Sequence, residues 1–512
     1  MPARSANRSA VLQWVIVLVV GILVVTLVLG LGLISRLSDG QKVLNAARPA
    51  FTSERIAGDR AGINVISQNV NLAAGIVTPQ GGGAAEVPAV VAYVAKKEHI
   101  TPAAALALMQ KDFPHTTALL QAIPLSSVTA EIPGLLAFLE KTLHVSQAQL
   151  LAALQTNFPH LTQAITNLPT VTGGWEHIKG IDGLTRFNGT PVQSVPQLRT
   201  YFQSDLIPLL ARQQNNYASL DGTSSVNWIA PLILGIGVVV ILFAGLMIVL
   251  NLRNPPSRGL NIGGASVVIA VGVVVVALVV ILSLVPRTSN GQKLLDGLRP
   301  ANTAARVAGD RAGINMVQSI IKTEDPIMTA QGGAAAEVPK LIAFVSQKTG
   351  LSQAAVLAAL QKNFPHTTAL LEAIPLSSVT AELPSLVGFL TPAVLPLIPD
   401  LAPTVLNAQP VTSAWNNVPG TAGFTRFNGT PIRTVPAVGT YFSSDLIPVL
   451  ETQRGHYDHL VSTSKINFIG PLVLIIGIVV IIYGLLMLFL ALRLEPSRSP
   501  RATTNPVPSP AT

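Results

Sequence analysis

Cysteine is absent from the chain, and this absence excludes several kinds of chemistry at once. A protein without thiols forms no disulfide, no thiolate nucleophile and no cysteine-ligated metal site. Aromatic residues are also few, at 5% of the 512 residues, whereas alanine and leucine are abundant. Because alanine and leucine are strong helix formers, the composition favours an all-α protein that is held together by packing alone.

Charged residues are scarce too, at 11% of the chain, against about 25% in an ordinary soluble protein. The deficit lies in four stretches that contain no Asp, Glu, Lys, Arg or His: 11–35, 226–252, 262–286 and 467–492. Each is longer than the roughly 20 residues that cross a hydrocarbon core. The pattern predicts four transmembrane helices. Proton relays and ion-coupled transporters usually need charged groups inside the membrane, so a transporter acting alone is disfavoured.

The few basic residues are distributed unevenly along the chain. Residues 36–225 have a net charge of +1 and residues 287–466 of +2, whereas the short remaining segments have +6. Because cytoplasmic segments of membrane proteins are rich in Lys and Arg, we expect the N-terminus 1–10, the loop 253–261 and a disordered tail 493–512 to lie in the cytoplasm of a multi-pass plasma-membrane protein. The two long polar segments are then extracytoplasmic. A nucleic-acid partner is not expected, since it would need a basic patch on a folded domain.

The first apolar stretch has two possible interpretations. Arg4 and Arg8 precede it, as in a secretory signal. However, it is longer than the apolar core of about 7–15 residues in such signals, and its counterpart 262–286 is internal. We therefore interpret both as permanent membrane anchors.

The chain repeats itself. Residues 113–133 and 364–384 agree at 19 of 21 positions, and TRFNGTP occurs at both 185–191 and 425–431. The first match has an offset of 251 and the second an offset of 240, which places an 11-residue deletion in the second copy. We therefore predict two duplicated extracytoplasmic helical-bundle domains, in a tandem parallel repeat, on four transmembrane helices.

Local signals inside the repeats are helical. Ser146, Ser352 and Thr101 each precede a run of helix formers and are good N-cap residues. These helices should end at the following Phe-Pro pairs, because the residue before proline avoids helical geometry. A smaller repeat at an offset of 45 pairs 99–124 with 144–169, and a diverged copy is expected at 398–400. Pro208 and Pro448 should kink the helices that lead into the second and fourth spans.

Candidate binding residues come from the repeated motifs. Three histidines follow Phe-Pro, and the Asn-Gly turns of TRFNGTP carry an arginine and an asparagine; together they are His115, His160, His366, Arg186, Asn188, Arg426 and Asn428. We predict contacts with a ligand or partner for these residues. A metal site is not expected, because no HExxH or carboxylate cluster supports the histidines. No phosphate loop, nucleophile elbow or haem motif is present either, so neither a cofactor nor an enzyme is expected.

Two further groups are predicted to be structural. Matching AGDRAGIN segments contain Asp59-Arg60 and Asp310-Arg311, and neighbouring residues on a helix cannot face each other, so each should pair elsewhere. Small residues at a spacing of seven in the second and fourth spans lie on one helix face and favour close helix packing: Gly237, Ala244, Gly477 and Gly484.

Three functions remain open. The first is a non-catalytic cell-envelope protein, of bacterial composition, whose outer domains bind another envelope protein, a wall polymer or a lipid. The second is an accessory or permease-like subunit of a transport complex. The third is a ligand-sensing subunit that signals through a partner. The sequence does not predict the oligomeric state.

Overall fold

The computed structural model describes residues 2–78, 82–221, 225, 227–253, 257–390, 394–461 and 465–493, and only the backbone of residues 2–10. Apart from Arg493, the predicted tail 493–512 lies outside these residues. The described chain is all-α, as predicted, and two isolated antiparallel bridges, Thr185 with Pro191 and Thr425 with Pro431, close short hairpins.

The helices follow one another with short connections. In chain order they are α1 Pro2–Gly30, α2 Leu33–Ala47, α3 Ser53–Val77, α4 Gly83–Glu98, α5 Pro102–Asp112, α6 Pro114–Ala122, α7 Leu125–Leu143, α8 Gln147–Asn157, α9 Pro159–Gly174, α10 Val195–Tyr201, α11 Ile207–Asp221, α12 Ile229–Arg253, α13 Arg258–Ile281, α14 Leu284–Leu298, α15 Ala304–Met328, α16 Ala334–Thr349, α17 Gln353–Asn363, α18 Pro365–Ala373, α19 Leu376–Leu390, α20 Ala402–Trp415, α21 Val435–Tyr441, α22 Ile447–Val461 and α23 Ile469–Arg493. Short 3-10 helices lie at Arg48–Ala50, Ala330–Gly332, Leu395–Leu397 and Ile466–Phe468.

Four of the described helices are long and apolar enough to span a membrane: Val11–Gly30, Ile229–Arg253, Arg258–Ile281 and Ile466–Arg493. The first and third end before the predicted limits of 35 and 286. Gly32 at φ +58° and Ser283 at φ +49° break the helices there. The third also starts earlier than predicted, because Ser257 accepts a hydrogen bond from the Leu260 amide and caps it.

Two bent helix pairs, α6 with α7 and α18 with α19, are apolar as well, with bends of 80° and 82°. A nine-residue helix such as α6 is only about 14 Å long. Since each pair also contains two glutamates, Glu131 and Glu140 in the first and Glu372 and Glu382 in the second, we count four spans.

Helix boundaries in the repeats follow the predicted capping signals. The side chains of Thr101, Ser146 and Ser352 accept hydrogen bonds from backbone amides at the starts of α5, α8 and α17. All three helices end at a phenylalanine that precedes proline, as predicted. A π-helical turn, Phe202–Leu206 or Phe442–Leu446, lies just before each proline that was expected to kink a helix.

Contacts divide the chain into two compact units. The span unit comprises 1–46, 215–297 and 453–512, and the helical unit comprises 47–214 and 298–452. The helical unit contains parts of both segments that were predicted as outer domains, 36–225 and 287–466. Within this unit α3 packs on α20, α15 on α9 and α6 on α18. Helices as short as α6 and α18 bury their apolar faces against each other.

The predicted deletion has a structural counterpart. From Leu139 to Phe158 the first segment runs through α8, whereas from Leu390 to Ile398 the second segment is 11 residues shorter. The described residues of the second segment contain no helix that corresponds to α8.

Candidate functional site

Four glutamates of the helical unit each hold the start of a helix in the other segment. They are Glu86 on α4, Glu131 on α7, Glu337 on α16 and Glu382 on α19. Each stands two residues before a proline within its own helix. We call these four contacts the carboxylate caps.

Two of the carboxylate caps are equivalent. Glu131 and Glu382 occupy corresponding positions in the two segments, and each binds the corresponding helix start in the other segment. Glu131 accepts hydrogen bonds from the backbone amides of His366 at 3.2 Å and Thr367 at 2.8 Å. Glu382 accepts them from His115 at 3.1 Å and Thr116 at 2.8 Å. The first amides of a helix have no partner within the helix, and a negative charge is favourable there. Each carboxylate therefore accepts two charge-assisted hydrogen bonds from backbone amides at the start of a helix that begins with Pro.

The other two carboxylate caps follow the same geometry. Glu337 accepts hydrogen bonds from His160 and from Leu161, the latter at 2.8 Å. Glu86 accepts them from Asp400 at 2.9 Å and Leu401 at 2.7 Å. The diverged copy that was predicted at 398–400 thus occupies the position of a Phe-Pro-His unit.

The imidazole rings of two predicted binding residues also contact the other segment. Nδ1 of His115 lies 2.8 Å from the Glu372 carbonyl oxygen, and Nδ1 of His366 lies 2.8 Å from that of Gln121. A carbonyl oxygen only accepts, so each Nδ1 carries the proton. Among the described residues no group of three His, Asp or Glu side chains is placed to hold a metal ion.

The arginines of the two hairpins are held by local ion pairs. Arg186 donates Nε and Nη2 to the Asp205 carboxylate at 3.0 and 2.9 Å. Arg426 does the same with Asp445 at 3.1 and 2.5 Å. These arginines lower the pKa of both aspartates against the opposing effect of their partial burial.

The asparagines of the hairpins form the turns. The side-chain oxygens of Asn188 and Asn428 accept hydrogen bonds from the amides of Thr190 and Thr430, both at 3.0 Å. The following glycines have φ of 87° and 86°, which suits glycine. The predicted turns are therefore present, and their Arg and Asn side chains support the hairpins.

A buried carboxyl group lies beside each hairpin. Asp59 on α3 is 1% exposed and faces Tyr441 and Arg55. Burial raises the pKa of Asp59 to about 7, while the Tyr441 hydroxyl and the Arg55 charge oppose the shift. The Arg55 guanidinium lies over the Phe427 ring at 4.9 Å and donates to the Thr425 carbonyl.

The second segment provides a matching cluster. Asp310 on α15 is also 1% exposed, and burial raises its pKa to about 7 against the Tyr201 hydroxyl and the Arg306 charge. Arg306 donates to Thr185 Oγ1 and to the Arg186 carbonyl, both at 3.1 Å. We call the two groups the buried carboxyl clusters. Arg60 and Arg311, by contrast, point outward, and Arg311 pairs with Glu451.

Comparison of the chain with protein-family models, curated proteins and solved structures finds no match.

Small residues bring the spans together within two pairs. A Cβ atom on Gly237 would lie 3.0 Å from Val25 on α1, and one on Gly477 would lie 2.9 Å from Val276 on α13. Gly484 approaches Ile269 on α13, and Ala244, its counterpart, is fully buried. Span α12 therefore packs on α1, and α23 on α13.

The helical unit also contains an apolar cavity of about 70 Å³. Its threonines are already bonded within the protein: Thr404 donates to the Leu72 carbonyl, and Thr412 bonds to Ala408 and Thr380. At the equivalent positions of the first segment the side chains are larger, because Leu168 and Ile165 correspond to Ala408 and Val405, and both pack in an apolar cluster with Val128 and Ile132.

Sequence reasoning missed the four glutamates and the two buried tyrosines. The glutamates share a pattern, Ala-Glu-X-Pro, that occurs at 85–88, 130–133, 336–339 and 381–384. This recurrence was a usable signal. Tyr201 and Tyr441 gave no comparable sequence signal, because the carboxyl group that each contacts belongs to the other segment.

Proposed function

We propose that the chain is a multi-pass membrane protein of a bacterial cell envelope, and that its helical unit is an extracytoplasmic, non-catalytic binding or scaffolding module. In this proposal the two segments are duplicated tandem repeats, and both termini are cytoplasmic. The four apolar helices and the concentration of basic residues in the short segments support this placement.

The observation that carries the proposal is the reciprocity of the carboxylate caps. Four glutamates, two from each segment, bind helix starts in the opposite segment. Residues that could have served catalysis, including the histidines and hairpin arginines, are used for contacts within the unit. A unit stabilised in this way is suited to present a fixed surface to a partner.

The placement can be tested because the natural chain has no cysteine. Single cysteines at Ala107, Ala358 and Ser257, all exposed residues, would each give one reactive thiol. In intact cells a membrane-impermeant maleimide should modify Ala107→Cys and Ala358→Cys, and Ser257→Cys only after the cells are opened. Labelling of Ser257→Cys alone in intact cells would reverse the topology and refute the proposal.

The binding role needs a separate measurement. A photo-crosslinking amino acid at Ala107 or Ala358, in native membranes, should capture a defined protein, glycan or lipid that mass spectrometry can identify. The same probe at Ser257 serves as the control on the opposite side. If the two outer positions capture only what the control captures, the binding role is refuted.

A further inference from the structure

The span unit contains an apolar cavity of about 210 Å³ that is lined by both of its helix pairs. The cavity opens sideways, because the lining residues Val239, Val267 and Val479 are 59%, 42% and 50% exposed. The pair α1–α12 and the pair α13–α23 line it with corresponding residues. Val24 and Ile236 from the first pair line it, and so do the equivalent Val275 and Ile476 of the second. The cavity is thus a shared feature of both pairs, and we call it the span cavity.

Side chains of both helix pairs pack together near each end of α1. Towards the start of α1, Trp14 packs with Met247 and Met487, so that helices from both pairs meet. Towards the end of α1, Val28 packs with Ala230 and Ile469. The lining extends along the spans, from Ile16 on α1 to Ile229 at the start of α12 and Leu284 beyond the end of α13. In a bilayer this length lies beside the hydrocarbon.

The lining of the span cavity is unsuited to water. Its residues are Val, Ile, Leu, Gly, Phe and one tyrosine, Tyr483, whose hydroxyl donates to the Gln13 carbonyl at 2.9 Å. A buried water needs two to four polar partners, and this wall offers none beyond that engaged hydroxyl. An empty space would also forfeit dispersion contacts along its whole lining.

We propose that an acyl chain of a membrane phospholipid occupies the span cavity and joins the two helix pairs. The cavity exceeds the roughly 150 Å³ that accommodates benzene in a soluble protein, so several methylene groups fit. An acyl chain is the apolar ligand that the surroundings supply at this depth. The inference rests on the membrane placement proposed above.

Photolabelling of the full chain in phosphatidylglycerol vesicles tests this site. The probe is a phospholipid with a diazirine at the end of one acyl chain, and mass spectrometry maps the adducts. Ile236 and Ile476 should be labelled in the natural chain. Val240→Phe and Val480→Phe, which fill the span cavity from opposite pairs, should each reduce that labelling at least fivefold.

Val238→Phe is the matched control, because Val238 is on the same helix but 42% exposed and outside the cavity lining. It should change the labelling of Ile236 and Ile476 less than twofold. Labelling of Val238 and Leu242 without labelling of the cavity residues, or equal labelling in all variants, would overturn the acyl-chain site alone. If no span residue is labelled, the membrane placement fails with it.

Discussion

At the residue scale, the helical unit almost completely buries the carboxyl groups of Asp59 and Asp310, which a folded protein would ordinarily leave in water. Asp59 and Asp310 are each flanked by an arginine and a tyrosine, yet burial dominates and raises the pKa of both to about 7. The ordinary pKa is 3.8. The native state therefore binds more protons than the unfolded state between about pH 4 and pH 7.

This difference gives the stability a defined dependence on pH. A raised native pKa means that the stabilising contribution is complete below about pH 4 and is lost as the pH rises through 7. Asp59→Asn removes the titration and should raise the thermal midpoint at pH 8 but not at pH 4. The upper limit of the effect at pH 8 is about 4 kcal/mol, from 1.36 kcal/mol for each pKa unit. Circular dichroism in detergent micelles measures it.

Asp205 provides the opposite control. Its pKa is lowered by Arg186, so its stabilising contribution is present above the unfolded pKa and is lost as the pH falls. Asp205→Asn should therefore lower the midpoint at pH 8. If Asp59→Asn lowers it as well, burial is not the dominant influence on Asp59.

The carboxylate caps allow a second test at single residues. Glu131→Gln keeps the shape of the side chain but removes the charge that faces three donors: the His366 amide, the Thr367 amide and the Thr367 hydroxyl. We expect a loss of about 1–2 kcal/mol in the free energy of unfolding. Glu140→Gln, on the same helix but in no carboxylate cap, should change it by less than about 0.5 kcal/mol. If Glu131→Gln and Glu140→Gln change the free energy of unfolding equally, the carboxylate cap at Glu131 does not stabilise the protein.

At the scale of elements, glycines on α3 and α15 allow the hairpins to approach these helices closely. A Cβ atom on Gly309 would lie 2.7 Å from Leu184 Cβ, and one on Gly58 would meet the Phe424 ring. These glycines directly precede the buried aspartates. The AGD motif therefore combines a site of close approach with a buried carboxyl group on the same helix.

Alanine substitution tests this approach. Gly309→Ala should destabilise the helical unit by about 1–3 kcal/mol, because the new methyl group meets the Leu184 Cβ, which cannot move without the backbone. Gly388→Ala on α19, where nothing lies within 4 Å, should instead stabilise it by up to about 1 kcal/mol. Chemical unfolding of both variants measures the difference, and a stabilised Gly309→Ala protein would contradict the packing described here.

Helix boundaries could be predicted from the sequence because their causes are local. The Ser146 cap, the Thr101-Pro102 start and the Phe-Pro ends each act within a few residues. The four spans could be predicted as directly, because a long stretch without charged residues is itself the signal. The helix partners could not be predicted, since Glu131 and His366 are 235 positions apart and nothing in either motif specifies the other.

The site was predicted only in part for the same reason. His115 and His366 were predicted to contact a ligand or partner, and the structure shows instead which groups of the other segment their imidazoles contact. Binding of a ligand by these residues stays a prediction. A polar residue that recurs in a repeated motif suggests ligand binding when its contacts within the fold are not known. In a duplicated sequence the partner of each motif can be the other copy.

At the scale of the whole molecule, the central claim is that the two segments complete one helical unit. Glu86 and Glu131 of the first segment and Glu337 and Glu382 of the second bind across it, and the principal helix packings, such as α3 on α20, also cross between segments. Neither segment alone retains these contacts.

The most direct measurement divides the chain within the loop between the second and third spans. Residues 1–253 and 257–512 are expressed separately and together, and the protease-resistant fragments are compared after extraction into detergent. We expect resistance of 47–214 and 298–452 only when the halves are present together, and the two halves should then co-purify. If 1–253 alone gives the same resistant fragment as the full chain, the segments fold independently and the central claim is contradicted.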